Sequence, residues 1–111
     1  MTKITATSLC APTMCSNIIL EALHKAAHNQ GVDLTVNCSA SLRYRTFDFG
    51  SVDIVLIAPQ VKGQVEDIRK FAAEKGHDQL PFLLIPMREY GLAKGDAILK
   101  LMLKELEKAP Q

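Results

Sequence analysis

Tryptophan is absent and aromatic residues make up only 5% of the 111 positions. No apolar run reaches the roughly 18 residues that a membrane-spanning helix needs. The start, Met1-Thr2-Lys3-Ile4-Thr5, also lacks the long apolar stretch of a signal peptide. A cytoplasmic protein without direct membrane insertion is expected. An excess of one charge is missing too: Lys and Arg total 13 against 12 Asp and Glu, and the net charge of +1 gives no footprint for nucleic acid. Cysteine is scarce. Cys10, Cys15 and Cys38 cannot all pair, no Cys-x-x-Cys is present, and no downstream Cys/His pair completes a tetrahedral zinc site with Cys10 and Cys15. Free thiols are the expectation, with no metal and no cofactor.

What is present is 48% apolar residues, enough for one compact core and too few positions for two ordinary domains. A single domain over 1–111 follows. Four apolar, β-branched runs read as strands: Ile4 to Leu9, Val32 to Cys38, Val52 to Ala58 and Pro81 to Ile85. The third is nearly continuous, as a central strand covered on both sides would be. Helical spacing runs from about Cys15 to Asn29 on Ile19, Leu23 and Ala26, and from about Gln60 to Lys75 on Val61, Val65, Ile68 and Phe71 or Ala72. A last helix from about Lys94 to Lys108 carries Ile98, Leu99, Met102, Leu103 and Leu106. Gly31 and Gly76 supply stops. Residues 39–50 suggest one turn. The alternation predicts an α/β fold: an open four-stranded parallel sheet, doubly wound and flavodoxin-like, with strand order 2-1-3-4.

In such a sheet ligands bind beyond the carboxyl ends of the strands. The segment joining the first strand to the first helix, Cys10-Ala11-Pro12-Thr13-Met14-Cys15-Ser16-Asn17, falls at that edge. A helix N-terminus has unpaired N–H groups and a partial positive charge, which favour a phosphate and also stabilise a thiolate. Cys10 reads as a nucleophile whose loop amides hold the phosphate oxygens, with Thr13, Ser16 and Asn17 as further donors. Position alone leaves the plainer readings open: a small buried hydrophobe at a strand end for Cys10, a helix cap for Ser16.

The whole chain resembles the IIB component of the lactose, cellobiose and diacetylchitobiose family of the phosphoenolpyruvate-dependent sugar phosphotransferase system. That family's first loop runs Cys, two small residues, Gly, Met, Ser, Thr, against Cys10, Ala11, Pro12, Thr13, Met14, Cys15, Ser16 here. Val55-Leu56-Ile57-Ala58-Pro59-Gln60 is similar to its apolar strand and Pro-Gln turn, and Met87, Tyr90 and Gly91 match its Met-x-x-Tyr-Gly segment. The resemblance implies that Cys10 is a phosphocysteine carrier. It would accept a phosphoryl group from a phosphohistidine of a IIA protein and pass it to a sugar, a β-linked disaccharide by the family's pattern, entering through a IIC membrane permease. The protein would then visit the inner face of the membrane only through IIC. Pro59, Gln60, Tyr90 and Gly91 become candidates for lining the site or shaping a partner surface. Thr13 stands where the family has Gly, and Cys15 where it has a hydroxyl residue. Those departures raise two alternatives: a non-transferring regulatory or binding module on the same fold, and a reversible Cys10–Cys15 disulfide.

Other candidates are weaker. A low-molecular-weight cysteine phosphatase needs Arg six positions after the nucleophile, where Ser16 stands, and no Arg occurs before Arg43. His24 and His28 have metal-compatible spacing but lie off the apolar stripe, which suits a solvated face. His77 sits in a turn. Arg43, Tyr44 and Arg45 suit either a charged loop or an acidic partner.

Overall fold

The computed structural model describes residues 2–10, 17–40 and 45–108. In chain order it contains β1 (Thr2–Cys10), α1 (Asn17–Asn29), β2 (Val32–Ala40), β3 (Ile54–Ile57), α2 (Val65–Glu74), β4 (Phe82–Leu84), α3 (Met87–Gly91) and α4 (Gly95–Lys108). The four strands form one parallel sheet in the order β2-β1-β3-β4, as the sequence predicts.

Register assigns the faces. Ile4, Ala6 and Ser8 pair with Leu34, Val36 and Cys38 of β2. Ala6 and Ser8 also pair with Ile54 and Leu56 of β3. This face receives α1 and α4, whose Ile19, Leu23, Ala26, Ile98, Leu99 and Met102 are buried. The two helices touch closely: a Cβ added to Gly95 would sit 2.2 Å from the Ala22 carbonyl oxygen, so no other residue fits there. The opposite face receives α2, where the Arg69 guanidinium lies 5.9 Å from the Phe82 ring centroid and Ile68 and Ala72 are buried. β3, between β1 and β4, has every side chain from Ile54 to Ala58 fully buried, which explains its unbroken apolar run. The edge strand β2 is covered on one side only. Its Leu34 and Val36 are buried, while Asp33, Thr35 and Asn37 face water.

Gly31 and Gly76 end α1 and α2 with φ of +70° and +90°, a region open to glycine without strain. Several boundaries differ from the sequence reading, among them β2, which runs on to Ala40, and β3, which is confined to Ile54–Ile57. The apolar pattern from about Gln60 divides into a 3-10 segment, Pro59–Gln64, itself kinked at Val61 with φ of −117° and ψ of 23°, and α2. The short helix α3 was not anticipated: five residues are too few to display a 3.6-residue period. Cys10 is the last residue of β1 rather than part of the loop, since the β1–β2 ladder extends to Cys10 opposite Ala40. The expected turn before β3 is present at Phe49–Ser51, capped by Asp48, whose Oδ1 accepts from the Gly50 N–H at 3.0 Å.

The expectation of free thiols fails at Cys38, which is disulfide-bonded. Its partner lies outside the described side chains. Parallel pairing brings the end of β2 beside the end of β1, and linear cysteine spacing does not reveal that proximity.

Candidate functional site

The carboxyl edge of the sheet is assembled from four strand ends. Cys10 ends β1 opposite Ala40 of β2. On its other side the Ala58 N–H donates to the Leu9 carbonyl at 3.0 Å, and the Ile85 N–H donates to the Ile57 carbonyl at 2.9 Å. These bonds prolong the ladder past β3 and β4 and line up Ala40, Cys10, Ala58 and Ile85 along one rim. Six residues separate Cys10 from Asn17, where α1 begins, so the first turn of α1 returns to the same rim. The unpaired N–H groups of such a turn favour an anion or a thiolate.

The side chain of Cys10, residues Ala11 to Ser16 and the side chain of Asn17 lie outside the described residues, as does the suggested Cys10–Cys15 bond. Of the remaining candidates, Pro59 and Gln60 do reach the rim. Ala58 holds an extended φ of −66° and ψ of 143°, after which Pro59, buried, opens the 3-10 helix and leaves Gln60 exposed beside the end of β1. Pro59 is preset for a helical first position, where a missing N–H costs nothing.

Tyr90 and Gly91 belong to α3, which leaves the rim immediately after β4. The Tyr90 N–H donates to the Pro86 carbonyl at 3.0 Å and its side chain is buried, while Gly91 is exposed. Burial pushes the Tyr90 phenol above its ordinary value, so it stays protonated at neutral pH. Tyr90 therefore braces α3 and Gly91 can face a partner.

Elsewhere the structure separates what the sequence had grouped loosely. His24 and His28 are exposed on α1, and among the described residues no three metal-ligating side chains gather. His77 lies at the opposite edge, against the Gly50 turn. Arg45 is exposed, and Arg43 and Tyr44 lie outside the described residues. Two features of the rim escaped the sequence reading. Ile18 and Met87, which open α1 and α3, are 66% and 62% exposed although apolar. Ile18 precedes the Ile19 stripe by one position, and that offset already turns it outward. Cys38 is the other, signalled only by its place near the end of the second apolar run.

A parallel sheet of order 2-1-3-4 with helices on both faces defines a flavodoxin-like α/β protein, a fold in which ligands bind beyond the carboxyl ends of the strands. Comparison with known proteins is more specific. Residues 6–101 match the family model described as the PTS system, Lactose/Cellobiose specific IIB subunit, and the chain belongs to that family. Among curated proteins it is 29% identical over 94 residues to a PTS system cellobiose-specific EIIB component from Lactococcus lactis subsp. lactis, covering 81% of this chain and 84% of the relative. Identity and coverage are the same for a galactose-specific EIIB component from Lactococcus lactis subsp. cremoris. Among solved structures, the lactose-specific IIB domain from Streptococcus pneumoniae superposes with a TM-score of 0.75 at 22% identity, covering 94% of this chain and 98% of that one. The cellobiose-specific IIB protein from Borrelia burgdorferi gives a TM-score of 0.75 at 19% identity, covering 98% and 96%.

Proposed function

We propose that this IIB subunit is a phosphocarrier in which Cys10 takes a phosphoryl group from a phosphohistidine on a IIA protein and delivers it to a sugar presented by a IIC permease. The observation that carries the reading is the position of Cys10: last residue of a central strand, on the functional rim, six residues ahead of α1. The Cys10 thiolate attacks phosphorus in line with the P–N bond. The S–P bond forms as P–N breaks, and the imidazole leaves with the electron pair. In the second step a sugar hydroxyl attacks phosphorus, the O–P bond forms, S–P breaks, and the hydroxyl proton passes to solvent. Both steps demand alignment and neutralisation of equatorial oxygens more than acid–base chemistry, which the unpaired N–H groups of a helix start favour. The names of the relatives support a lactose, cellobiose or galactose type of sugar.

Thr13 and Cys15 favour a second reading, a regulatory module that binds the partner without transfer. Thr13 resists the positive φ open to Gly, and Cys15 removes a strong hydroxyl donor. Incubation with phosphoenolpyruvate, the general phosphotransferase proteins and a panel of IIA proteins separates the two. Transfer requires a phosphoprotein that iodine discharges and that disappears in Cys10→Ser; its absence with every IIA protein supports the module.

A further inference from the structure

We propose that His24 and His28, with Asp33 beside them, form a binding site for a divalent transition cation of the kind that imidazole holds: zinc, nickel or copper. The two histidines are four residues apart on α1 and share one face, about 6 Å apart along the helix axis, the spacing at which two imidazoles close on one ion. Spacing alone leaves them on a solvated face. The structure adds their surroundings: both line one hollow of about 260 Å³, and Asp33 of β2 lines it too. Gly31, with φ of +70°, turns the chain after α1 and brings Asp33 back beside the last helical turn. Among the described residues lining the hollow, Asp33 is the one carboxylate and none is Lys or Arg. His28 sits in the last turn of α1, and a helix carboxyl end carries partial negative charge. Each of these features favours a cation.

His24, His28 and Asp33 are all exposed, so an ion reaches them from solvent. No third ligating side chain gathers with the pair among the described residues. The direct ligands are therefore two imidazole nitrogens, at about 2.0–2.1 Å for zinc, with water in the remaining positions and Asp33 accepting a hydrogen bond from one of those waters. At about 30 Å³ per water, the hollow has room for the ion and several waters. Imidazole selects zinc, nickel and copper, whereas magnesium and calcium prefer all-oxygen surroundings. Bound there, the ion joins the end of α1 to the start of β2. α1 is about 20 Å long, with the rim at its amino end and this hollow at its carboxyl end. The cation therefore acts on the hold between helix and strand, and the site is independent of the phosphocarrier reading.

The full-length protein, free of any histidine tag, is titrated with Ni²⁺ at about pH 8, because coordination takes neutral imidazole. Calorimetry gives the affinity and amide NMR signals give the place. Binding should saturate, with paramagnetic broadening centred on residues 24–34. His24→Gln and His28→Gln, which keep a good helix former at exposed positions, should each weaken Ni²⁺ binding at least about tenfold, and Asp33→Asn about tenfold. Metal-free urea midpoints of all these variants should match wild type, since exposed side chains contribute little to stability. Saturating Ni²⁺ should raise the midpoint of wild type and leave either glutamine variant where it was. Zn²⁺ should displace Ni²⁺, and Mg²⁺ should not. Broadening centred on the rim, where Cys10 ends β1, or on His77 overturns the proposal, as does displacement by Mg²⁺ or wild-type affinity in either glutamine variant. Wild-type affinity in Asp33→Asn overturns it too, since any exposed histidine pair would then serve as well.

Discussion

The two edges of the sheet are finished in opposite ways. At the amino edge, turns satisfy their own polar groups: Asp53 donates its N–H to the Thr5 carbonyl at 2.7 Å and accepts the Thr5 N–H on Oδ2 at 2.9 Å, and Ser51 Oγ donates to the Asp48 carbonyl at 2.7 Å. Phe49 is buried there, with Phe71 and Phe82 rings each 6.2 Å away and Phe47 edge-on at 5.0 Å. At the carboxyl edge the ladder runs on through Ala58 and Ile85. Apolar Ile18 and Met87 stand in water, and a helix begins beside a cysteine. One edge is closed by its own turns; the other, among the described residues, exposes apolar side chains. The strands β1 and β3 connect them.

The largest effect is expected where that division breaks down. Leu56→Ala, in the fully buried β3 that serves both edges, should cost about 2–5 kcal/mol in urea unfolding and lower transfer only as far as the folded fraction falls. Next comes the rim. Ile18→Glu and Met87→Glu should each raise the KM for the phospho-IIA donor about tenfold with the unfolding midpoint unchanged, because exposed side chains contribute little to stability and much to a partner interface. A smaller effect belongs to the amino edge. Asp53→Ala should lose about 1 kcal/mol of stability, by loss of the bond to Thr5, while the transfer rate per folded molecule stays the same. A transfer defect in Asp53→Ala would show that the edges are coupled.

The smallest effect is a pH dependence. Burial raises the Tyr90 pKa above 10.0, so the folded state holds this proton more tightly than the unfolded chain does. Stability from this source is complete below the unfolded value and declines as pH rises through the folded value. Urea midpoints compared between about pH 8 and pH 11 should fall more steeply for wild type than for Tyr90→Phe. Equal slopes would mean that the phenol escapes its burial on ionising.

The fold was largely legible because its strands differ in kind. Val52 to Ala58 is nearly unbroken and proves central, while β2 alternates Leu34 and Val36 with Asp33, Thr35 and Asn37 and proves to be an edge. Helix periods on Ile19, Leu23 and Ala26, and on Ile98, Leu99 and Met102, correctly named buried residues. What escaped was short or non-local. α3 lacks the length for a period, and the break at Val61 hides inside a continuous apolar spacing. The bonded state of Cys38 is not something local pattern encodes. At the site, the position of Cys10 and the approach of Pro59 and Gln60 could be read from strand order. The outward turn of Met87 could not, because it depends on how α3 leaves β4.

Gly95 carries a consequence for inheritance. With the Ala22 carbonyl 2.2 Å from where its Cβ would stand, any lineage that replaces this glycine must also shift α1 along or away from α4. The first turn of α1 would move with it, at the rim where Cys10 ends β1. Changes that compensate a substitution at Gly95 are therefore to be sought in α1.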